Sequence, residues 1–393
     1  MRIAAGSGVR VAGVGMTSHA RRDMSPSEMA TMAAGEALAD AGLQPSEVAL
    51  VVASNALGGI LCEQGCIRGQ SWMGEMGFAG TGIVNVENAC AGGVNAVHLA
   101  AMSVLAGESP VLVVAVEKMW TGDRRATMEA IEEGLPAPER LEKRRGMGDN
   151  PSRSVFMGLN AEWARRHLES GETTVTHLAA TAAKARRHGS LNPLAQHQGL
   201  LSMDEILAAP VVVDPLTRPM CSSFTDGAAA VVLTGGDRSG APRLLASVLM
   251  SGDGTVEYHE RMGIAGRKAF DEAGYGPADM DLVELHDATS AEELLALEAM
   301  GFYPPGKAGA ATLAGDTSLG GSGVTVNPSG GLVARGHPIG ATGASQLVEL
   351  CLQLRGVAGS RQVERARLAV MVNTGGIIGE DVASVGVVVV GRG

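Results

Sequence analysis

The sequence predicts an α/β protein made of two related halves, each a sheet layered with helices. Two observations carry this. Near the start, a β run at Val9 to Gly15, a helix opened by Ser25-Pro26-Ser27-Glu28 and a strand at Leu50 to Ala53 spell strand, helix, strand, the unit of parallel sheets. Later the chain repeats itself. Ala41-Gly42-Leu43-Gln44-Pro45-Ser46-Glu47 through Leu50-Val51 aligns with Ala273-Gly274-Tyr275-Gly276-Pro277-Ala278-Asp279 through Leu282-Val283, each residue 232 positions after its partner. A shared Ala-Gly stop, proline, acidic position and Leu-Val pair mark an internal duplication.

Taken in order, Ser25 to Glu28 is a capping box with proline at the first helical position, and Met29, Met32, Ala33 and Ala37 supply the apolar face behind it. Gly42 stops that helix. Gly82 to Val86 reads as a strand feeding a tight turn at Asn88-Ala89-Cys90-Ala91-Gly92-Gly93. A helix follows with Val94, Val97, Ala101, Val104 and Leu105 on one face, then a strand at Val111 to Val116. This turn, helix and strand have a looser counterpart in Gly336 to Leu352 and Leu368 to Val372. Between the halves, 121–210 differs in texture: charged and irregular up to Pro151, then helical at Val155 to His167 and Val175 to His188. It reads as an insertion lying over the site. The first half resumes at Ser223-Phe224-Thr225-Asp226-Gly227 and closes on the strand Ala229 to Thr234. The domains expected are thus 1–245, with the loop domain 121–210 inserted, and 246–393.

Composition narrows the function. A chain of 393 residues, 45% hydrophobic and 19% charged, can bury a large core. Aromatics are only 3% and glycines number 55, so Ala, Val, Leu and Met must fill it. A net charge of −11 argues against a nucleic-acid or anionic-membrane surface. The basic runs Arg140 to Arg145 and Lys184 to His188 read as solvated helix faces. No apolar run approaches the roughly 18 residues that cross a bilayer. Five scattered cysteines without a signal peptide fit a reduced cytoplasmic setting. Cys62 and Cys66 lack a second ligand pair, so no metal centre is expected.

Four stretches carry chemistry. Cys90 lies at a helix N-terminus, where peptide dipoles favour the nucleophilic thiolate; the alternative is a buried structural cysteine. Leu282 to Leu285 delivers His286-Asp287-Ala288-Thr289 at a strand end. Thr289 and Glu292 are explained as a helix-capping box, while His286 is open to a structural or a functional reading. Gly336-His337-Pro338 ahead of Ile339-Gly340-Ala341-Thr342-Gly343 holds a histidine in a rigid turn, with neither the G-x-G-x-x-G nor the Walker lysine of a phosphate loop. Gly315 to Gly323 reads as a flexible loop. Asn373-Thr374-Gly375-Gly376 ends a strand in a glycine turn whose NH groups can stabilise an oxyanion. Cys221 and Cys351 read as core, and Met119, Met147, Met157 and Met220 as core filler or acyl-chain contacts.

These motifs in this order, with the Leu191-Asn192-Pro193 region and Asp226-Gly227-Ala228-Ala229-Ala230, resemble the thiolase superfamily over essentially the whole length, and within it the sterol carrier protein type. The resemblance implies a five-layer α-β-α-β-α body, commonly dimeric, with no permanent cofactor and a coenzyme A thioester as substrate. It implies that Cys90 takes the acyl group and His337 accepts its proton. His286 would hold the thioester oxygen of the second substrate, and the NH groups of Cys90 and Gly375 would form the oxyanion hole. Two positions depart from the family. A biosynthetic thiolase has a second cysteine where Asn373 stands, and the sterol carrier type has it where Ala288 stands. Neither side chain titrates near neutral pH, so the usual α-proton agent is missing.

The leading expectation is therefore an acyltransferase that loads Cys90 from acyl-CoA and passes the acyl group to an acceptor. The alternatives are an aldolase acting on an acyl-CoA side chain with a small OB-fold partner protein, and a non-catalytic subunit of a thiolase-like complex. Relatives of the aldolase kind tend to lack the nucleophilic cysteine.

Overall fold

The structure, a computed structural model, describes residues 6–146 and 154–393; Met147 and Pro151 lie outside them. The first half contributes strands β1 (Arg10–Met16), β2 (Leu50–Ser54), β3 (Gly82–Val86), β4 (Val111–Glu117) and β5 (Gly227–Thr234). The second contributes β6 (Arg243–Ser251), β7 (Leu282–Glu284), β8 (Thr325–Val326), β9 (Leu368–Ile378) and β10 (Asp381–Gly391). The strand order is β3-β2-β4-β5-β1 in one half and β8-β7-β9-β10-β6 in the other, so the duplication is one of topology as well as sequence. In each half the first three neighbours are parallel and the last two joins antiparallel. Among the described residues, the two five-stranded sheets meet where β1 pairs with β6 at Arg10 and Arg243.

The repeated segment also repeats its capping chemistry. Helix α1 (Pro26–Ala41) ends on Gly42 at φ 68°, and its counterpart Tyr258–Ala273 ends on Gly274 at φ 74°. In the 3₁₀ turns that follow, Glu47 accepts the Gln44 NH at 2.8 Å and Asp279 accepts the Gly276 NH at 2.7 Å. The shared acidic position is therefore a cap.

Helix α2 (Gly92–Leu105) follows the Cys90 turn, and Thr342–Arg355 follows the His337 turn. These two 14-residue helices pack on each other between the sheets. Strand alternation divides the core accordingly. Val111, Val113 and Ala115 face this central layer, while Leu112, Val114 and Val116 face α1. Val388 and Val390 likewise face the centre, whereas Val387 and Val389 pack under the Tyr258–Ala273 helix. The result is the α-β-α-β-α layering.

The central helices approach closely because both begin with small residues. A Cβ on Gly93 would lie 2.7 Å from the Ala344 nitrogen, and one on Gly343 only 2.4 Å from the Val94 nitrogen. Both obstacles are backbone and cannot swing aside. Gly343→Ala is expected to cost about 1–3 kcal/mol by overpacking, read as a lowered thermal midpoint. An unchanged midpoint would contradict the close crossing.

The insertion is more ordered than its composition predicts. Arg124–Ile131 and Ala137–Gly146 are helices, because Asp123 caps the first and ion pairs Arg140–Glu133 (2.9 Å) and Arg144–Glu132 (2.6 Å) satisfy the charges. Helices α3 (Val155–Glu169) and α4 (Val175–Ser190) follow, with a small hairpin at Val211–Val213 and Leu216–Thr217. The Lys184–His188 run is not a solvated face. Lys184 is buried against Glu293 at 2.6 Å, and His188 is buried between the Asn327 carbonyl and the Leu319 NH. Nor is 315–323 a loose loop, since Gly323 NH bonds Asp316 O at 3.0 Å and Val326 NH bonds Thr317 O at 3.0 Å. Among the described residues no helix is long and apolar enough to cross a membrane.

Candidate active site

Three motifs far apart in sequence meet at one pocket of about 650 Å³. The first is the Cys90 turn. Strand β3 ends at Val86, and the chain reverses with Ala89 held at φ 47°, a left-handed conformation rare for a residue with a side chain. Such strain, about 1–3 kcal/mol, persists where the surroundings over-determine it. Here Glu87 accepts the Ala89 NH at 2.6 Å, and Asn88 donates to Asn95 at 2.7 Å. The turn presents Cys90, half-buried, in the pocket wall.

The second is the His337 turn. The Glu117 carboxylate, at the end of β4, accepts the NH groups of Gly340, Ala56 and Leu57, each at 3.0 Å, and so fixes the loop from below. His337 Nδ1 lies 2.8 Å from Thr342 Oγ1, whose hydroxyl reaches the Pro338 carbonyl at 3.3 Å. A hydroxyl that donates to the carbonyl accepts from Nδ1–H. That relay leaves Nε2 as the free acceptor of the neutral ring.

The third is the His286 strand end. Asn373 Nδ2 donates to His286 Nδ1 at 3.0 Å, which puts the ring proton on Nε2. Asn373 Oδ1 lies buried against Gly343 without a hydrogen-bond partner among the described residues. Asn373 thus orients a histidine. Asp287 points away from the pocket and accepts the Leu332 NH at 2.8 Å.

The Cys90 sulfur and one nitrogen of each imidazole all lie within 4.8 Å of one another, and the rings of His286 and His337 stand edge to face at 5.1 Å. Burial pushes the His286 ring down to about 3 and holds His337 well below its ordinary value, helped by His286, His19 and Arg335, so both stay neutral. Cys90 corrects the sequence expectation. Burial, then Glu117 and Glu292, push its thiol upward, so the resting group is a thiol and not a dipole-stabilised thiolate. A neutral imidazole beside a thiol is the complement that proton transfer requires. The same three groups are the set among the described residues with soft metal-ligand character; Cys62 and Cys66 join no such cluster.

Gly375, in β9, closes the back of the Cys90 turn. A Cβ there would lie 2.4 Å from the Ala91 nitrogen and 2.9 Å from the Cys90 nitrogen. Ala288 lines the pocket, and beside it stands a group that the capping-box reading concealed. Glu292 turns its carboxyl to the Ala288 NH and the Tyr258 hydroxyl (3.0 Å) rather than to a helix cap, and burial pushes it up to about 8. Tyr258 in turn lies 2.6 Å from Thr374 Oγ1.

Other lining groups are scattered too widely for a sequence pattern to gather them. Phe156, Met157 and Trp163 come from the insertion, together with Met128 and Ile131. Arg21, Arg68, Arg124 and Arg218 are the pocket's cations, in place of either basic run. Cys221 is both core and pocket wall, while Cys351, Met119 and Met220 are fully buried core.

Comparison with known proteins agrees with the fold. Residues 7–237 match the thiolase N-terminal domain and residues 250–387 the thiolase C-terminal domain-like family. Human sterol carrier protein 2 is 34% identical over 392 residues, covering 93% of this chain and 70% of that protein. The acetyl-CoA acetyltransferase of Methanothermobacter thermautotrophicus is 34% identical, covering 94% of this chain and 96% of its own. Among solved structures, an Ltp2-ChsH2(DUF35) aldolase superposes at TM-score 0.80 with 20% identity over 98% of both chains. Human mitochondrial 3-ketoacyl-CoA thiolase in complex with CoA superposes at 0.69 with 16% identity over 100% of both. With both halves matched in order and the duplicated five-layer body in place, the chain belongs to the thiolase superfamily and is similar to its sterol carrier protein type.

Proposed function

We propose that the protein is an acyltransferase working through a thioester on Cys90. The observation that supports this most directly is the meeting of the Cys90 sulfur with two neutral imidazoles within 4.8 Å in a large pocket. In this reading His337 Nε2 removes the thiol proton as the sulfur attacks the carbonyl of an acyl-CoA. The NH groups of Cys90 and Gly375 receive the oxyanion, and the imidazolium returns the proton to the departing coenzyme A thiolate. His286, with its Nε2–H set by Asn373, then holds the carbonyl oxygen of the acceptor. The guanidinium groups of Arg21, Arg68, Arg124 and Arg218 suit the phosphates of coenzyme A, and no resident cofactor is required.

Edge strand β3 has an open side and an exposed Val84, which supports pairing with a second copy as a homodimer. Five free thiols support a reducing, cytoplasmic setting. An aldolase working with an OB-fold partner draws support from fold likeness alone, and nothing in such a reading uses Cys90.

Incubation with acyl-CoA, followed by intact-protein mass measurement, tests the proposal. A mass gain equal to the acyl group is expected on the wild type and not on Cys90→Ala. No gain on the wild type, or an equal gain on the variant, would overturn it. Turnover that survives Cys90→Ala would favour the lyase reading.

A further inference from the structure

We propose that Glu292 is the group that moves the α-proton of the acceptor, in the place left by Ala288 and Asn373. The inference rests on the acyl-transfer reading, because it supplies that reading's missing second half.

The geometry is specific. Glu292 lines the pocket with Cys90, His286 and Ala288, and its carboxyl accepts the Ala288 backbone NH. A Glu three residues after an N-cap ordinarily bonds back to the cap residue's NH. Here Thr289 keeps its half of that arrangement by accepting the Glu292 NH at 3.3 Å, and the Glu292 side chain is released toward the pocket. Tyr258, 34 positions earlier, donates its hydroxyl to Glu292 at 3.0 Å and is itself braced by Thr374, next to Gly375. The residue is buried, and among the described residues no cation pairs with it as in a structural ion pair. Among the described residues, Glu292 raises the Cys90 thiol through space, which places the two groups within mutual electrostatic reach. Its own titration near 8 suits a group that both takes and returns a proton close to neutrality.

The step balances. The Glu292 carboxylate removes the α-proton of a second CoA thioester, and the C–H electron pair moves into its carbonyl to give an enolate whose oxygen is held by His286 Nε2–H. The enolate carbon attacks the acyl carbonyl on Cys90. A carbon–carbon bond forms and the carbon–sulfur bond to Cys90 breaks. The Cys90 thiolate takes the proton from Glu292, restoring thiol and carboxylate. In the reverse direction the protonated Glu292 delivers the proton to the enolate released by cleavage. The acceptor class is thus a CoA thioester bearing an α-hydrogen.

The test is α-hydrogen exchange of straight-chain acyl-CoA thioesters, acetyl to octanoyl, in deuterated water, followed by mass spectrometry alongside the acyl-enzyme mass. Wild-type enzyme is expected to exchange, with a rate that rises with pH through about 8 as the carboxylate forms. Glu292→Gln is expected to lose about 10²-fold or more of that exchange while losing far less of the loading of Cys90. Tyr258→Phe removes a donor to the carboxylate and should move the pH midpoint upward, a change that lost packing alone does not produce. No exchange by a wild-type enzyme that loads Cys90, or wild-type exchange by Glu292→Gln, would overturn the inference. Exchange that depends on Glu292 in an enzyme that never loads Cys90 would instead overturn the acyl-transfer reading and leave Glu292 its role.

Discussion

Replacing His337 with Asn is expected to slow acylation of Cys90 by about 10²–10⁴-fold, the ordinary worth of a positioned general base. The amide keeps a polar group in the turn but cannot accept a proton. The pH profile carries the sharper prediction. In the wild type, burial and the neighbouring His286, His19 and Arg335 hold His337 well below its ordinary value. The ring is therefore already neutral on the acid side, and acylation should not fall as pH is lowered through the usual histidine range near 6.5. In His337→Asn the residual rate depends on free thiolate. The Cys90 thiol is pushed above its ordinary value, chiefly by burial, so that rate should climb about tenfold per pH unit across the neutral and mildly alkaline range. Time-resolved intact mass measurement of the acyl-enzyme gives both results. A variant with a flat profile near the wild-type rate would remove His337 from the chemistry.

Gly375→Ala is expected to reduce acylation by about 10²–10³-fold, the range seen when an oxyanion donor is lost. The added Cβ would stand 2.4 Å from the Ala91 nitrogen, 2.5 Å from the Asn88 oxygen and 2.9 Å from the Cys90 nitrogen. All three are backbone atoms of the strained turn, so relief must come from moving Cys90 or β9. The stability cost should be modest, about 1–3 kcal/mol. Rates of Cys90 loading compared with the thermal midpoint separate the two effects. Loading at the wild-type rate in a folded Gly375→Ala would show that the turn and strand need not touch during chemistry.

Much of this site is legible in sequence because its parts are local. Cys90, His286 and His337 each sit at a junction of strand or turn with helix, and such junctions announce themselves through apolar runs, glycines and a proline. Glu292 shows where local reading fails. Its spacing from Thr289 matches a capping box so well that the pattern accounts for it completely, yet the carboxyl turns to Tyr258 and the Ala288 NH instead. No local rule could weigh that choice, because Tyr258 belongs to another helix. The helices at 124–131 and 137–146 were hidden for a related reason. Their charges look like loop composition until Glu132 and Glu133 are seen to pair with Arg144 and Arg140. The Cys90 thiol departs from the expected thiolate because a helix N-terminus favours the charged form locally, while burial opposes it more strongly.

The sequence by itself determined the duplicated α/β architecture and the three residues that meet in the pocket. Periodicity, caps and turn residues act over a few positions, and the repeat at a constant offset extends that reading to the whole chain. Only the tertiary structure decided what each of those residues can do. The tautomer of His337 depends on Thr342, that of His286 on Asn373, and the carboxyl of Glu292 is braced in the pocket wall from Tyr258. Hydrogen-bond partners and burial are properties of facing layers, and the layers are brought together by the crossing of two central helices at Gly93 and Gly343.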